Sequence, residues 1–156
     1  MANFTIADIK ALREQLGTGM VDTKKALEEA NGDREKAVEL LRLKGAKGNA
    51  KRADRSTSEG LVVAREADGA VTLIELACET DFVAKNERFI ALADKVADAV
   101  AAAGANSVDE ALAASSGSQS VADLISEEAA IIGEKVELRQ VRTVTGDSRQ
   151  VYLHRT

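Results

Sequence analysis

The chain contains no proline and no tryptophan, and only one tyrosine, one histidine, one cysteine and three phenylalanines in 156 residues. Most of these scarcities exclude something. A single cysteine, Cys78, leaves no internal disulfide and suits a reducing compartment, so a cytoplasmic location is expected. One histidine and one cysteine cannot build an ordinary structural zinc site, and no metal or cofactor is expected. No apolar run reaches the length of a bilayer span, and Met1-Ala2-Asn3-Phe4 lacks a basic segment ahead of an apolar one. Neither a membrane helix nor a secretory signal is therefore expected. A net charge of −5 argues against a surface that binds nucleic acid throughout. The absence of proline has no physical account in the sequence.

What is present is globular: 45% apolar and 30% charged residues, in a length that suits one domain or a domain plus a small module. Residues 1–45 read as a three-helix module. Thr5 caps a first helix over Ile6–Leu16, with Asp8 near its positive end and Ile6, Ile9, Leu12 and Leu16 at helical spacing. Gly17-Thr18-Gly19 breaks it, and a second helix starts near Met20 and ends at Asn31-Gly32. Asp33 caps a third, with Ala37, Val38, Leu40 and Leu41 inward, ending at Gly45. So thin a core leaves little room for a pocket and suits recognition.

Residues 46–59 read as a basic linker, following a shift in composition that brings Arg42, Lys44, Lys47, Lys51, Arg52 and Arg55 together among small and polar residues. A nucleic-acid contact is the alternative, weakened by the lack of interleaved aromatics. Residues 60–156 read as an α+β core with antiparallel strands and helices on one face, in the order β-β-α-α-β-β. Its hairpin turns at Asp68-Gly69, a strong signal. A helix follows with Phe89, Ala93, Val96 and Val100 inward, capped by Asn86 or Thr80. A short helix over Val108–Ala114, a flexible Ser115–Ser118 and a helix from Ser120 to about Ile132 come next. Two last strands are expected at Val136–Thr145 and Gln150–His154. Val136 and Leu138 share a face that Val141 does not, and a bulge would repair that slip.

No catalytic set emerges. His154 lies near the chain end, Gly17-Thr18-Gly19 is too short for a phosphate loop, and Glu28-Glu29 and Glu127-Glu128 read as solvated helix faces. Cys78, on an alternating apolar strand, reads as buried and inert. A binding protein is expected rather than an enzyme. The stretch Cys78-Glu79-Thr80-Asp81-Phe82-Val83-Ala84-Lys85-Asn86 stands at the junction of strand and helix. On residue type alone Phe82 packs at a helix start, with an exposed functional ring as the alternative.

Three segments together resemble the bacterial elongation factor Ts family. Leu12 through Leu27, with Asn31-Gly32-Asp33, is similar to the family's N-terminal module, which implies a ubiquitin-associated-like fold for the three helices. Thr80-Asp81-Phe82-Val83-Ala84-Lys85-Asn86 resembles the signature at the start of its core, and Ile132-Gly133-Glu134 a further core segment. The resemblance implies a factor of translation elongation and protein biosynthesis that exchanges guanine nucleotide on elongation factor Tu, in its GDP-bound and nucleotide-free states. By the same resemblance Asp81 and Phe82 are a wedge near the partner's magnesium site, supported by Thr80 and Val83. Arg13, Met20 and Val21 anchor the N-terminal module, and Ile132, Gly133 and His154 are core-side contacts. Family members of the common bacterial type continue into a second core half, so a piece carrying the first half is expected, with a short family form as the alternative. A ubiquitin-associated-like adaptor, or a nucleic-acid-contacting module, without exchange activity is the rival reading.

Overall fold

A computed structural model describes residues 3–154, and the chain divides into two compact units, one up to Lys51 and one from Arg52 onward. The first consists of α1 (Ile6–Leu16), α2 (Met20–Glu29) and most of α3 (Arg34–Arg52). Thr5 opens α1 with a full capping box, and left-handed Gly17 closes it. Ile9, Leu12, Ala26, Leu27, Ala30, Ala37 and Leu41 form the core.

Two expectations fail in this unit. Ile6, though at helical spacing with Ile9 and Leu12, is 70% exposed, while Phe4, just ahead of the cap, packs against that core together with Ile9 in the manner of a hydrophobic staple. The third helix does not end at Gly45 but runs on through Gly48 to Arg52, so the first residues of the stretch expected as linker are helical. A glycine costs a helix only about 1 kcal/mol against alanine, which is not enough to end it.

The second unit is built on a three-stranded antiparallel sheet in the order β1-β2-β5, from β1 (Glu59–Ala67), β2 (Ala70–Cys78) and β5 (Glu137–Thr145). Asp68 and Gly69 both take positive φ, 48° and 78°, as a two-residue hairpin turn requires. Leu61 and Val63 face the core beside Ile74, Leu76 and Cys78, with Leu138 and Val141 completing that face. Glu75 pairs with Gln140 and Leu76 with Leu138, so Arg139 is the extra residue of a bulge. The bulge restores the phase and buries both Leu138 and Val141.

Helices cover that face. α5 (Glu87–Ala103) buries Phe89, Leu92, Ala93, Val96, Ala97 and Val100, and Arg65 of β1 ties to it through Asp94 and Asp98, each at 2.6 Å. Around it lie α4 (Asp81–Ala84), α6 (Val108–Ala113) and α7 (Val121–Ile132). Together these elements form an α+β fold.

Two corrections concern this unit's connections. Ser115–Ser116 (β3) and Gln119–Ser120 (β4) pair as a small hairpin around left-handed Gly117, where a flexible segment was expected. The expected strand Gln150–His154 does not form. Its residues are exposed and pair with no strand: β5 leaves an edge of the sheet open, but a strand there would have no apolar face to bury. The order is therefore β-β-α-α-α-β-β-α-β.

Candidate partner-binding site

β2 ends at Cys78, and the chain turns outward through Glu79 into α4, a single turn of four residues. Thr80 caps α4 and Asn86 caps α5, so both residues expected as caps serve, one for each helix. Two N-caps so close together leave room for one turn between them. That turn points Ala84 inward and packs half-buried Val83 against the core. Asp81, Phe82 and Lys85 face solvent, and Phe82 is 84% exposed. Phe89, in the first turn of α5, is completely buried. Phe82 therefore does not pack at its helix start.

Beside the ring, Lys85 Nζ donates to Asp81 Oδ2 at 2.8 Å. That hydrogen bond and the accompanying charge hold the Asp81 carboxyl below its usual range and raise Lys85 above its own. The exposed face of α4 thus presents an apolar ring next to an ion pair.

The turn is braced from a distance. Left-handed Gly133, with φ 83°, ends α7 and is followed by Glu134. The Glu134 carboxylate accepts three hydrogen bonds: Oε2 from the backbone N–H of Glu79 and of Thr80, both at 3.1 Å, and Oε1 from the Thr80 hydroxyl at 2.6 Å. In return Glu79 Oε1 accepts the Lys135 N–H at 2.6 Å, and Arg55 pairs with the same carboxylate at 3.3 Å. Cys78 donates its S–H to the Thr80 carbonyl. Burial, and then the nearby Glu134 charge, push its thiol up to about 11. At neutral pH it is an inert thiol.

Thr80, Asp81, Phe82 and Val83 therefore share one turn, and Glu134 links that turn to Gly133. Ile132 is half-buried against the core and Gly133 is exposed. His154 lies in the irregular tail, its Nδ1 3.2 Å from the Tyr152 hydroxyl. In the first unit, Arg13 Nε donates to the Thr18 carbonyl at 3.3 Å, which ties the end of α1 to the loop entering α2. Thr18 and Thr23 bond through their hydroxyls at 2.8 Å. The first turn of α2 leaves Met20 46% and Val21 64% exposed. Arg13, Met20 and Val21 thus belong to one end of that unit.

Glu79 and Glu134 have no role in the sequence reading. The available signal was an omission. A capping box needs an acid at the third helical position, which after Thr80 is Val83. Among the described residues no group of three or more acids, histidines or cysteines could hold a metal ion, and no helix is long and apolar enough to cross a membrane.

The family model described as elongation factor TS matches residues 79–156, half of the chain. The chain belongs to the elongation factor Ts family. The matched span begins at Glu79 and so takes in the braced turn, Gly133 and Glu134. Relatives named elongation factor Ts align over the whole chain. The protein of Leifsonia xyli subsp. xyli is 72% identical, that of Clavibacter sepedonicus 65% and that of Arthrobacter sp. 52%. The chain spans 57%, 57% and 56% of those three proteins, respectively.

Proposed function

We propose that this chain promotes release of GDP from elongation factor Tu by seating Phe82 in an apolar gap of that partner, near its magnesium site. The observation that carries this reading is Phe82 itself, an almost fully exposed aromatic on a braced turn beside a charged pair. A ring left in water in the free protein has its burial energy available for a partner, about 1.5–3 kcal/mol. Exchange by linkage asks for coupling of the same order, about 1–3 kcal/mol. A protein that binds the nucleotide-free partner more tightly than the GDP-bound one weakens GDP by the same factor. No covalent bond is made or broken, so no catalytic acid or base is required.

Magnesium demands near-octahedral oxygen geometry, and a small shift of a neighbouring helix loosens it and leaves phosphate charge uncompensated. Asp81 and Phe82 act as the wedge, with Thr80 and Val83 as its base. Arg13, Met20 and Val21 supply an anchor, since a flexible methionine beside an exposed valine suits an adaptable apolar contact. Ile132, Gly133 and His154 are core-side contacts.

Release of fluorescent GDP from elongation factor Tu, with and without the chain, tests this. Acceleration is expected, and Phe82→Ala is expected to remove most but not all of it while changing thermal stability by no more than about 0.5 kcal/mol. Release that is indifferent to Phe82→Ala, with binding lost on Met20→Ala, would overturn the exchange reading in favour of an adaptor.

A further inference from the structure

We propose that Glu134 is a positioning residue for the 80–83 turn, with Glu79 as its counterpart, so that the orientation of Phe82 is set by a carboxylate 54 residues away from Thr80. What the turn is used for rests on the exchange reading above; how it is held does not.

α4 has four residues, and a helix of one turn does not persist by its own hydrogen bonds. Its first N–H groups have no partner within the helix, and one of them, on Val83, reaches Thr80 Oγ only at 3.4 Å. A local capping box is unavailable because Val83, in the position where an acid would sit, packs against the core. Phe82, being exposed, is not oriented by packing. Its direction comes from the backbone that carries it, and Glu134 takes up that backbone at the point of entry.

By accepting the Thr80 hydroxyl proton, Glu134 leaves the hydroxyl's lone pairs free for the Val83 N–H. By accepting the N–H groups of Glu79 and Thr80, it fixes the residues that leave β2. The Glu79 carboxylate locks the reverse direction by accepting the Lys135 N–H. Gly133 adopts the left-handed turn that ends α7 immediately before Glu134. The wedge is thereby referenced to α7, which buries Val121, Leu124, Ile125 and Ala129. Preorganisation of this kind spares a partner the cost of ordering the turn on binding.

Amide hydrogen exchange on the free chain is the first arm of the test. In Glu134→Ala the amides of Val83 and Ala84 are expected to lose protection about tenfold, while those in the middle of β2 and α5 keep theirs. Unchanged protection at Val83 and Ala84 overturns the proposal. The second arm is GDP release from elongation factor Tu with Phe82→Ala, Glu134→Ala and the double variant. Glu134→Ala is expected to slow stimulated release about tenfold, and the double variant to be no slower than Phe82→Ala alone, because the two act through one structure.

Losses that multiply would show Glu134 acting independently of Phe82, and would overturn its positioning role. If Phe82→Ala releases GDP as fast as the parent, the exchange reading falls, and the amide arm still decides whether Glu134 holds the turn. Should the alanine variant lose its circular-dichroism signal, Glu134→Gln carries both arms. It keeps the volume and one carbonyl acceptor, so the same signs with smaller changes are expected.

Discussion

Two helices of this chain begin on a threonine, and the same three hydrogen bonds are made at both starts. At α1 the Thr5 N–H and hydroxyl each donate to Asp8 Oδ2 at 2.7 Å, and the Asp8 N–H returns to Thr5 Oγ at 3.2 Å. At α4 the Thr80 N–H and hydroxyl donate to Glu134, and the Val83 N–H returns to Thr80 Oγ. The donors match, but the carboxylate comes from within the first turn in one case and from another part of the unit in the other. A helix that caps itself forms wherever its own residues meet. A helix capped by a distant carboxylate forms only after the surrounding unit has folded, and it takes its position from that unit. The first arrangement suits a structural helix, whereas the second suits a short turn that must present exposed groups in a set direction.

The same substitution at both threonines tests this difference most strongly. Thr5→Ala is expected to cost about 1 kcal/mol, the ordinary loss of a helix cap. Thr80→Ala is expected to cost about 2 kcal/mol, because it also leaves half-buried Glu134 without its shortest hydrogen bond. Denaturant unfolding of the two variants measures both. Equal losses would mean that the distant carboxylate adds nothing to the cap, and the distinction would collapse.

Features written in neighbouring residues were legible in the sequence. Asp68-Gly69 announced its turn, the phase slip between Leu138 and Val141 announced a bulge, and Thr5, Asn86 and Ser120 announced their helices. Local signals misled where a longer-range balance decided. Gly45 looked like a stop, yet α3 continues past it, and residues 150–154 looked like a strand but bury no face against the core. Phe82 and Phe89 have the same side chain at two neighbouring helix starts, one exposed and one buried. Residue type could not separate them, because the separation comes from which face of each turn meets the core. Glu134 was beyond reach for the same reason, since its partners are set by the packing of α7 against the rest of the unit.

Gly133 offers a gentler way to sharpen the comparison. It is left-handed, and a Cβ added there would meet nothing within 4 Å, so the only cost of Gly133→Ala is conformational. A loss of about 1 kcal/mol is expected, with Gly133→Asn milder because asparagine tolerates that backbone region better. If α4 takes its position from the end of α7, Gly133→Ala also lowers amide protection at Val83. The corresponding change at the end of α1, Gly17→Ala, is expected to leave the Thr5 cap untouched, because Asp8 does not depend on where α1 stops. Protection lost at Asp8 in that variant would contradict the claim that the first cap is self-contained.

The smallest expected effect is in acid. The Thr5 hydroxyl and then the Thr5 N–H hold the Asp8 carboxyl below its usual range. A depressed carboxylate stabilises the fold above the unfolded value of about 3.9, and that contribution fades as pH falls through the lower folded value. Asp81 has the same sign, but its cause is Lys85, the residue that closes α4, and not the Thr80 cap that opens it. Lys85 is raised, so its side of the pair is fully present below the unfolded lysine value and lost only as pH rises through the folded one. Acid below about pH 4 should therefore loosen the cap of α1 directly, whereas at α4 titration of Asp81 removes only the surface pair. Amide exchange across that range checks this: Asp8→Asn should remove the acid step at the Asp8 amide, and Asp81→Asn should leave protection at Val83 in place. A step at Val83 that disappears in Asp81→Asn would make the surface pair part of the cap, and the two helix starts would then differ less than their geometry implies.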